Sequence, residues 1–267
     1  MDIHPIWQPV TYRVGDAHRY DIGPLSLLVS RRYEEWHIRY HICHEPLREV
    51  FEYSAASMDE TLSDSDVIER IAAHDSQDLR QLQLKPLLAD RYVSARPETP
   101  VTIAAGSWAA MYLTTPLWLQ LTRLPDKQAL LELSSFRPVD TWLGPPTGEG
   151  PLAYASSVRG RLRHQDLIPS PMRALTKVTL RNSGSAPMRI ARIIVPAPEL
   201  RLYRSKETDR FWTDEITITK GRDGELSEVR IESRAPVEAG EIEHIADART
   251  PPSANLFDRA FSTLWGG

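Results

Sequence analysis

The sequence predicts a mainly β protein, with antiparallel sheets packed as a sandwich, on three observations. First, Trp36, Ile38, Tyr40 and Ile42 alternate with His37, Arg39, His41 and Cys43. That period of two puts the apolar set on one side of a strand and the polar set on the other. Second, 21 prolines among 267 residues recur between short apolar runs. Proline edges or ends strands and is excluded from central ones. Third, short strands with frequent turn signals fit a sandwich or barrel, not a βαβ fold.

The elements follow in order. Leu25, Leu27 and Val29 alternate with Ser26, Leu28 and Ser30, and the polar run from Arg31 to Glu35 leads into the strand at Trp36. The two strands read as a hairpin, which Pro46 ends. Residues 1–56 form this N-terminal hairpin region. Residues 57–85 read as a helical connector. Ser63 and Asp66 are spaced as a capping box, and Val67, Ile68, Ile71 and Ala72 keep helical spacing, predicting a short helix over 64–75. Residues 86–249 form the predicted sandwich core. Short strands near Tyr92, Thr102, Tyr112 and Leu119 are parted by Pro97, Pro100, Gly106 and Pro116. Two later pairs stand out. The runs at Lys177–Leu180 and Met188–Val195 flank Asn182–Pro187, a hairpin or sheet-crossing signal. The runs at Glu215–Thr219 and Val229–Glu232 bracket Gly221–Gly224. In residues 250–267, Ser253 caps a predicted helix with Leu256, Phe257, Ala260, Phe261, Leu264 and Trp265 on one stripe. That stripe suits the protein's own sheet, or a partner or dimer contact. With no flexible linker evident, the whole is expected to form one compact unit.

Composition narrows the function. Hydrophobic content of 41% and charged content of 25% are ordinary for a soluble globular chain. A net charge of −4 argues against a nucleic-acid partner. A single cysteine forms no internal disulfide, and no run of about 18 apolar residues occurs, so the expected setting is cytoplasmic without membrane insertion.

Three blocks carry a family resemblance. Pro100–Gly106 with Tyr112–Trp118 forms the first, Asp140–Gly144 with Gly150–Tyr154 the second, and Phe211–Ile216 the third. In order and spacing they resemble the uncharacterised domain-of-unknown-function family number 432, of archaea and bacteria, from about Trp7 to Arg249. The resemblance implies no activity, cofactor or catalytic residue; it suggests a small mechanosensitive channel as a candidate partner. The second block departs from the family pattern at Leu143 and Ala153, where an aromatic and often a cysteine are expected.

Candidate chemistry is sparse. His37 and His41 lie roughly 13 Å apart along a strand, too far to share an ion, whereas His41 and Cys43 are about 6.6 Å apart and form a feasible metal pair. Two further ligands are missing from any motif, so no metal is favoured. Arg159, Arg161 and Arg163 fall on one side of an extended segment, and three guanidiniums in a row suit phosphate or carboxylate groups or else guard an exposed edge. Trp118, Trp142, Tyr154 and Trp212 form a candidate sugar platform, although large aromatics at strand spacing more often fill cores. Asp140, Asp214 and Glu215 are candidate hydrolase carboxylates. Gly144–Gly150 lacks the lysine of a phosphate loop, and no nucleophile elbow or zinc-protease motif occurs. No cofactor is called for. The expected function is a non-enzymatic interaction or regulatory module, with a protein partner or homodimer. The alternative is an enzyme or binding protein for a carbohydrate or small anionic ligand, contacted by Arg159, Arg161, Arg163, Trp142 and Tyr154.

Overall fold

The computed structural model describes residues 4–45, 48–63, 66–72, 79–143, 152–158, 160–221 and 226–252. The chain divides into two units, Met1–Leu87 with Leu117–Arg137 and Leu88–Pro116 with Pro138–Gly267. The core expected over 86–249 is therefore divided, with 117–137 in the first unit. Both units are built of mainly antiparallel strands, and the described residues contain no α-helix, only four short 3-10 turns.

The first unit begins with β1 (Val10–Arg13), β2 (Ala17–Ile22), β3 (Leu25–Arg31), β4 (Glu35–Ile42), β5 (Phe51–Ala55), β6 (Val67–Ala72) and β7 (Leu79–Leu87). The chain then supplies β8 (Val93–Pro97), β9 (Val101–Ile103) and β10 (Trp108–Pro116) to the second unit. It returns to the first for β11 (Trp118–Leu124) and β12 (Gln128–Ser134). One sheet of the first unit has the order β5-β2-β3-β4-β6, the other β1-β7-β11-β12. The predicted hairpin is β3–β4, with Leu25 opposite Ile42 and Arg31 opposite Trp36. Trp36 and Ile38 are fully buried, as alternation requires. Every residue of β3 is buried, because a central strand is covered on both faces. The two sheets meet through Tyr12 of β1, whose hydroxyl lies 3.0 Å from that of Tyr20 on β2 and whose ring stands edge-on to Trp36 at 5.2 Å.

The helix expected over 64–75 is corrected: Val67–Ala72 is the edge strand β6, paired with β4 from Tyr40↔Val67 to Glu35↔Ala72. Val67, Ile68 and Ile71 are β-branched and favour the pleated strand over the helix. Arg70 reaches Glu35 across the pair at 2.7 Å. The Asp66 carboxylate accepts from the Leu62 backbone N–H at 2.8 Å, a turn bond in place of a helix cap. The helix expected after Ser253 lies outside the described residues.

The second unit continues with β13 (Asp140–Trp142), β14 (Leu152–Val158), β15 (Arg173–Asn182), β16 (Met188–Ile190), β17 (Ile193–Val195), β18 (Leu202–Ser205), β19 (Phe211–Thr213), β20 (Ile216–Lys220), β21 (Leu226–Ile231) and β22 (Ile242–Ala246). Its largest sheet runs β21-β20-β15-β19-β18-β22, with β10 also pairing β15. Most pairs are antiparallel, but β15 pairs in parallel with β19 and β20, and β14 with β8. The predicted pair around 221–224 is the β20–β21 hairpin. Asn182–Pro187 crosses between sheets: β16 pairs β9, while β15 pairs β10. The Asn182 amide explains the crossing. It donates to the carbonyls of Ile103, Ala104 and Ala186 and accepts from the Gly184 N–H. With all its bonds made inside, Asn182 is buried at no polar cost.

Candidate functional site

The pairing of β10 with β15 sets up a candidate surface in the second unit. Trp108 lies opposite Arg181, Ala110 opposite Thr179, and Tyr112 opposite Lys177, so these six share one face. The other face carries Met111, Leu113, Val178 and Leu180, all buried. At its far end the first face is covered: Tyr112, Leu167, Leu175, Tyr203, Trp212 and Ala239 form an apolar cluster. Beyond Lys177 it opens into a cleft of about 690 Å³. Lys177, Thr179, Arg181, Glu215 and Glu238 line it, with Trp108 beside them.

Local chain geometry fixes the rim. Gly106 has φ +66°, a left-handed conformation that glycine adopts without a Cβ penalty, and the turn closes with Ser107 N–H donating to the Ala104 carbonyl at 3.2 Å. Asn182 N–H then holds the Ser107 carbonyl at 2.9 Å. Trp108 starts β10 from this anchored turn and is 70% exposed, an unusual position for so large an apolar ring. Beside it, the exposed side chain of Arg181 makes no hydrogen bond or ion pair among the described residues.

The inner end is a charge cluster. Lys177 Nζ lies 3.0 Å from Glu238 Oε1 and 3.4 Å from Glu215 Oε1. The Tyr112 hydroxyl donates to Glu238 Oε1 at 2.7 Å, and the Thr179 hydroxyl to Glu215 Oε1 at 3.0 Å. Burial on its own would raise the Glu238 pKa. Hydrogen bonds from Tyr112, from its own backbone and from Lys177 outweigh that and hold the carboxyl below its ordinary range. Burial, reinforced by the bond to Glu238, pushes the Tyr112 hydroxyl well above its ordinary value, so it stays a donor. A glycosidase pair needs one carboxyl kept protonated by a raised pKa. Glu238 is shifted the opposite way. Glu238 is thereby held as a charged acceptor of hydrogen bonds.

The family model described as a protein of unknown function, DUF432, matches residues 6–264. The chain belongs to that family. No curated protein matches this DUF432 chain, and no solved structure does.

The sequence-predicted site residues are dispersed in this DUF432 member. Arg159 lies outside the described residues. Arg161 forms a single bridge to Tyr112 and an ion pair with Glu98 at 3.6 Å. Arg163 precedes a 3-10 turn and faces Asp166 at 3.5 Å. Arg161 and Arg163 thus lie beyond the end of β14, each beside its own carboxylate, and form no strand ladder. Of the aromatic set, Trp118 and Trp212 are core. Trp142 is exposed on β13, while Tyr154 on β14 is buried, its hydroxyl donating to Asp90 at 2.9 Å and its pKa pushed up to about 12. Arg91 lies over its ring at 5.3 Å. These aromatics form no common platform. Leu143 and Ala153, the departures from the family pattern, are buried packing residues.

His41 and Cys43 fare similarly. Among the described residues no group of three or more His, Cys, Asp or Glu side chains is placed to hold a metal, so the pair gains no further ligand. His37 hydrogen-bonds Glu35 at 2.7 Å. Among the candidate carboxylates, only Glu215 reaches the cleft. Asp214 is buried, accepting from Arg201 N–H at 2.8 Å, Arg201 Nη2 at 2.9 Å and the Tyr203 hydroxyl at 2.9 Å. Asp140 pairs with Arg91 at 3.2 Å. No helix among the described residues is long and apolar enough to cross a membrane.

Proposed function

We propose that this chain is a non-catalytic binding module whose second unit takes an acidic sugar over the face at Trp108. The observation that carries the reading is the exposed Trp108 directly opposite the unengaged Arg181, at the mouth of the cleft. An indole face covers the apolar side of a sugar ring, and a free guanidinium offers a planar fork to a carboxylate or phosphate. Arg181 and Lys177 are about 13 Å apart along β15, so a ring at Trp108 can extend toward Glu238. Glu215 and Glu238, both beside Lys177, offer oxygens that accept hydroxyl hydrogens there. We further infer sandwich-type packing of the sheets, supported in the first unit by Tyr12 against Trp36. A cytoplasmic setting is supported by the free Cys43.

Calorimetric titration of the full chain with uronate-terminated and neutral disaccharides tests the reading. The uronates bind with one site per chain, and the neutral analogues bind at least tenfold more weakly. Trp108→Ala removes binding of both. Equal affinity for charged and neutral sugars, or unchanged binding by Trp108→Ala, defeats the proposal.

A further inference from the structure

Beyond the apolar cluster, the far end of the β10–β15 face carries two arginines that the binding cleft does not use. β15 and β19 run parallel, with Ala174 opposite Phe211 and Leu175 opposite Trp212. Leu175 and Trp212 both belong to the apolar cluster. Two residues before them, Arg173 and Arg210 return by alternation to that same face, side by side. Both line a narrow recess of about 10 Å³ with Thr114 and Ser170, between the apolar side chains of Leu167 and Leu175.

Among the described residues neither arginine pairs with a carboxylate. Arg173 donates through Nη2 to the Thr114 carbonyl at 2.9 Å and to the Ser156 hydroxyl at 3.3 Å, both neutral acceptors. Its Nε is buried without a hydrogen-bond partner. Burial pushes the Arg173 pKa down to about 10, with no negative group among the described residues to offset it. The side chain of Arg210 makes no hydrogen bond or ion pair among the described residues. Asp209, its neighbour in the chain, lies instead 3.6 Å from Arg204 Nη1. Like charges on adjacent strands repel, and more strongly beside apolar walls than in water. An orphaned buried donor signals an ion or a water. The recess has room for one occupant of about the size of a water, too little for a tetrahedral oxyanion. A water would take the Arg173 Nε–H and leave both charges uncompensated, whereas a monatomic anion meets both. Ser170 adds a donor: its oxygen accepts from the Met172 N–H at 3.3 Å, which leaves the hydroxyl hydrogen to give.

We propose that Arg173 and Arg210 hold a single halide ion, chloride in physiological salt, in the recess at the start of β15 and β19. Arg173 Nε–H and the Ser170 hydroxyl donate to it, and Arg210 supplies the second positive charge. Bound in this way, the ion relieves the repulsion between the two strands and ties the turn at Ser170 to both. Size sets the selectivity: chloride and bromide fit, and sulfate and methanesulfonate do not.

The test uses the full chain, exchanged into halide-free sodium methanesulfonate buffer. Sodium chloride then replaces methanesulfonate at constant ionic strength, while the chloride NMR linewidth and the thermal midpoint are followed. The expected result is excess broadening of the chloride resonance that titrates away as one site per chain fills. The midpoint rises by about 3 °C or more at a tenfold excess over Kd. Sodium bromide reproduces the rise, and sodium sulfate at matched ionic strength does not. Arg173→Met abolishes both signals. Arg210→Gln weakens chloride binding by roughly tenfold, the loss of one charge-assisted contact, and it serves if Arg173→Met does not fold. Three results overturn the proposal. One is no saturable chloride signal with the native chain, meaning that a water fills the recess. Another is an equal chloride response in native and Arg210→Gln protein, meaning that the ion sits elsewhere. The third is an equal rise with sulfate, meaning only screening of surface charge.

Discussion

Replacing Lys177 by methionine isolates the electrostatics of the cleft. In the native chain one ammonium lies 3.0 Å from Glu238 Oε1 and 3.4 Å from Glu215 Oε1, which keeps those two oxygens within about 6 Å of each other. Lys177 and Glu215 side chains are both only 16% exposed, so screening by water is partial. With the cation gone, two unit charges about 6 Å apart at an effective dielectric of 20 repel by about 3 kcal/mol. Methionine keeps most of the apolar stem, so the loss is mainly electrostatic. Lys177→Met should therefore destabilise the protein by about 2–4 kcal/mol at pH 7.

The pH dependence supplies the sign. The folded Glu238 pKa is depressed, so its stabilisation is present above the unfolded value near 4.3 and is lost as pH falls through the folded value. In Lys177→Met the repulsion raises one carboxyl pKa instead, and protonation then relieves it. The difference between the two proteins should shrink as pH falls from 7 to about 4.5. Urea denaturation at both pH values measures it. A cost below about 0.5 kcal/mol at pH 7, or one unchanged at pH 4.5, would refute the reasoning, since that is the range of ordinary surface substitutions.

Other predictions divide structure from binding. Asp214→Ala removes the acceptor of three close hydrogen bonds in a buried site and should cost about 3 kcal/mol by denaturant midpoint, with Arg201 partly rescued by solvent. Leu180→Ala empties a fully buried position in β15 and should cost about 2–5 kcal/mol by the same assay. Trp108→Ala, at an exposed site, should change stability by no more than about 0.5 kcal/mol while abolishing sugar binding. A large stability loss there would mean that the indole is a packing residue.

Much of the scaffold was legible from strand periodicity. The alternation from Trp36 to Cys43 located β4 and its buried side, and the polar runs at 31–35 and 221–224 located two hairpins. The edge strand β6 was not legible. Val67, Ile68 and Ile71 fit helical spacing as well as strand propensity, and pairing with β4 decided between them. An exposed edge strand buries neither face, so it shows no alternation to read. Ser63 and Asp66 reinforced the wrong choice, because the same residue types close turns and cap helices.

The cleft was harder to see for a topological reason. Tyr112 and Glu238 are 126 positions apart, and the turn at Val237–Ala239 brings Glu238 to both Tyr112 of β10 and Lys177 of β15. Part of the signal was nonetheless local. Lys177, Thr179 and Arg181 alternate with Val178 and Leu180, and Trp108 follows Gly106 at the start of its strand. The sequence reading did not use this signal, taking Lys177–Leu180 only as a strand run. The arginine run misled because its extended spacing presumed a strand, whereas β14 ends at Val158 and Arg163 leads into a 3-10 turn. The Arg173–Arg210 pair was not legible because the two are distant in sequence and meet only through the parallel pairing of β15 with β19.

The most direct test of the binding account follows the Trp108 indole N–H resonance by NMR as a uronate disaccharide is added, with Trp108→Ala used for assignment. The account predicts a saturable shift of that resonance, lost in Arg181→Gln, with the resonance of the buried Trp212 unmoved. A ligand that binds while the Trp108 resonance stays in place would contradict it.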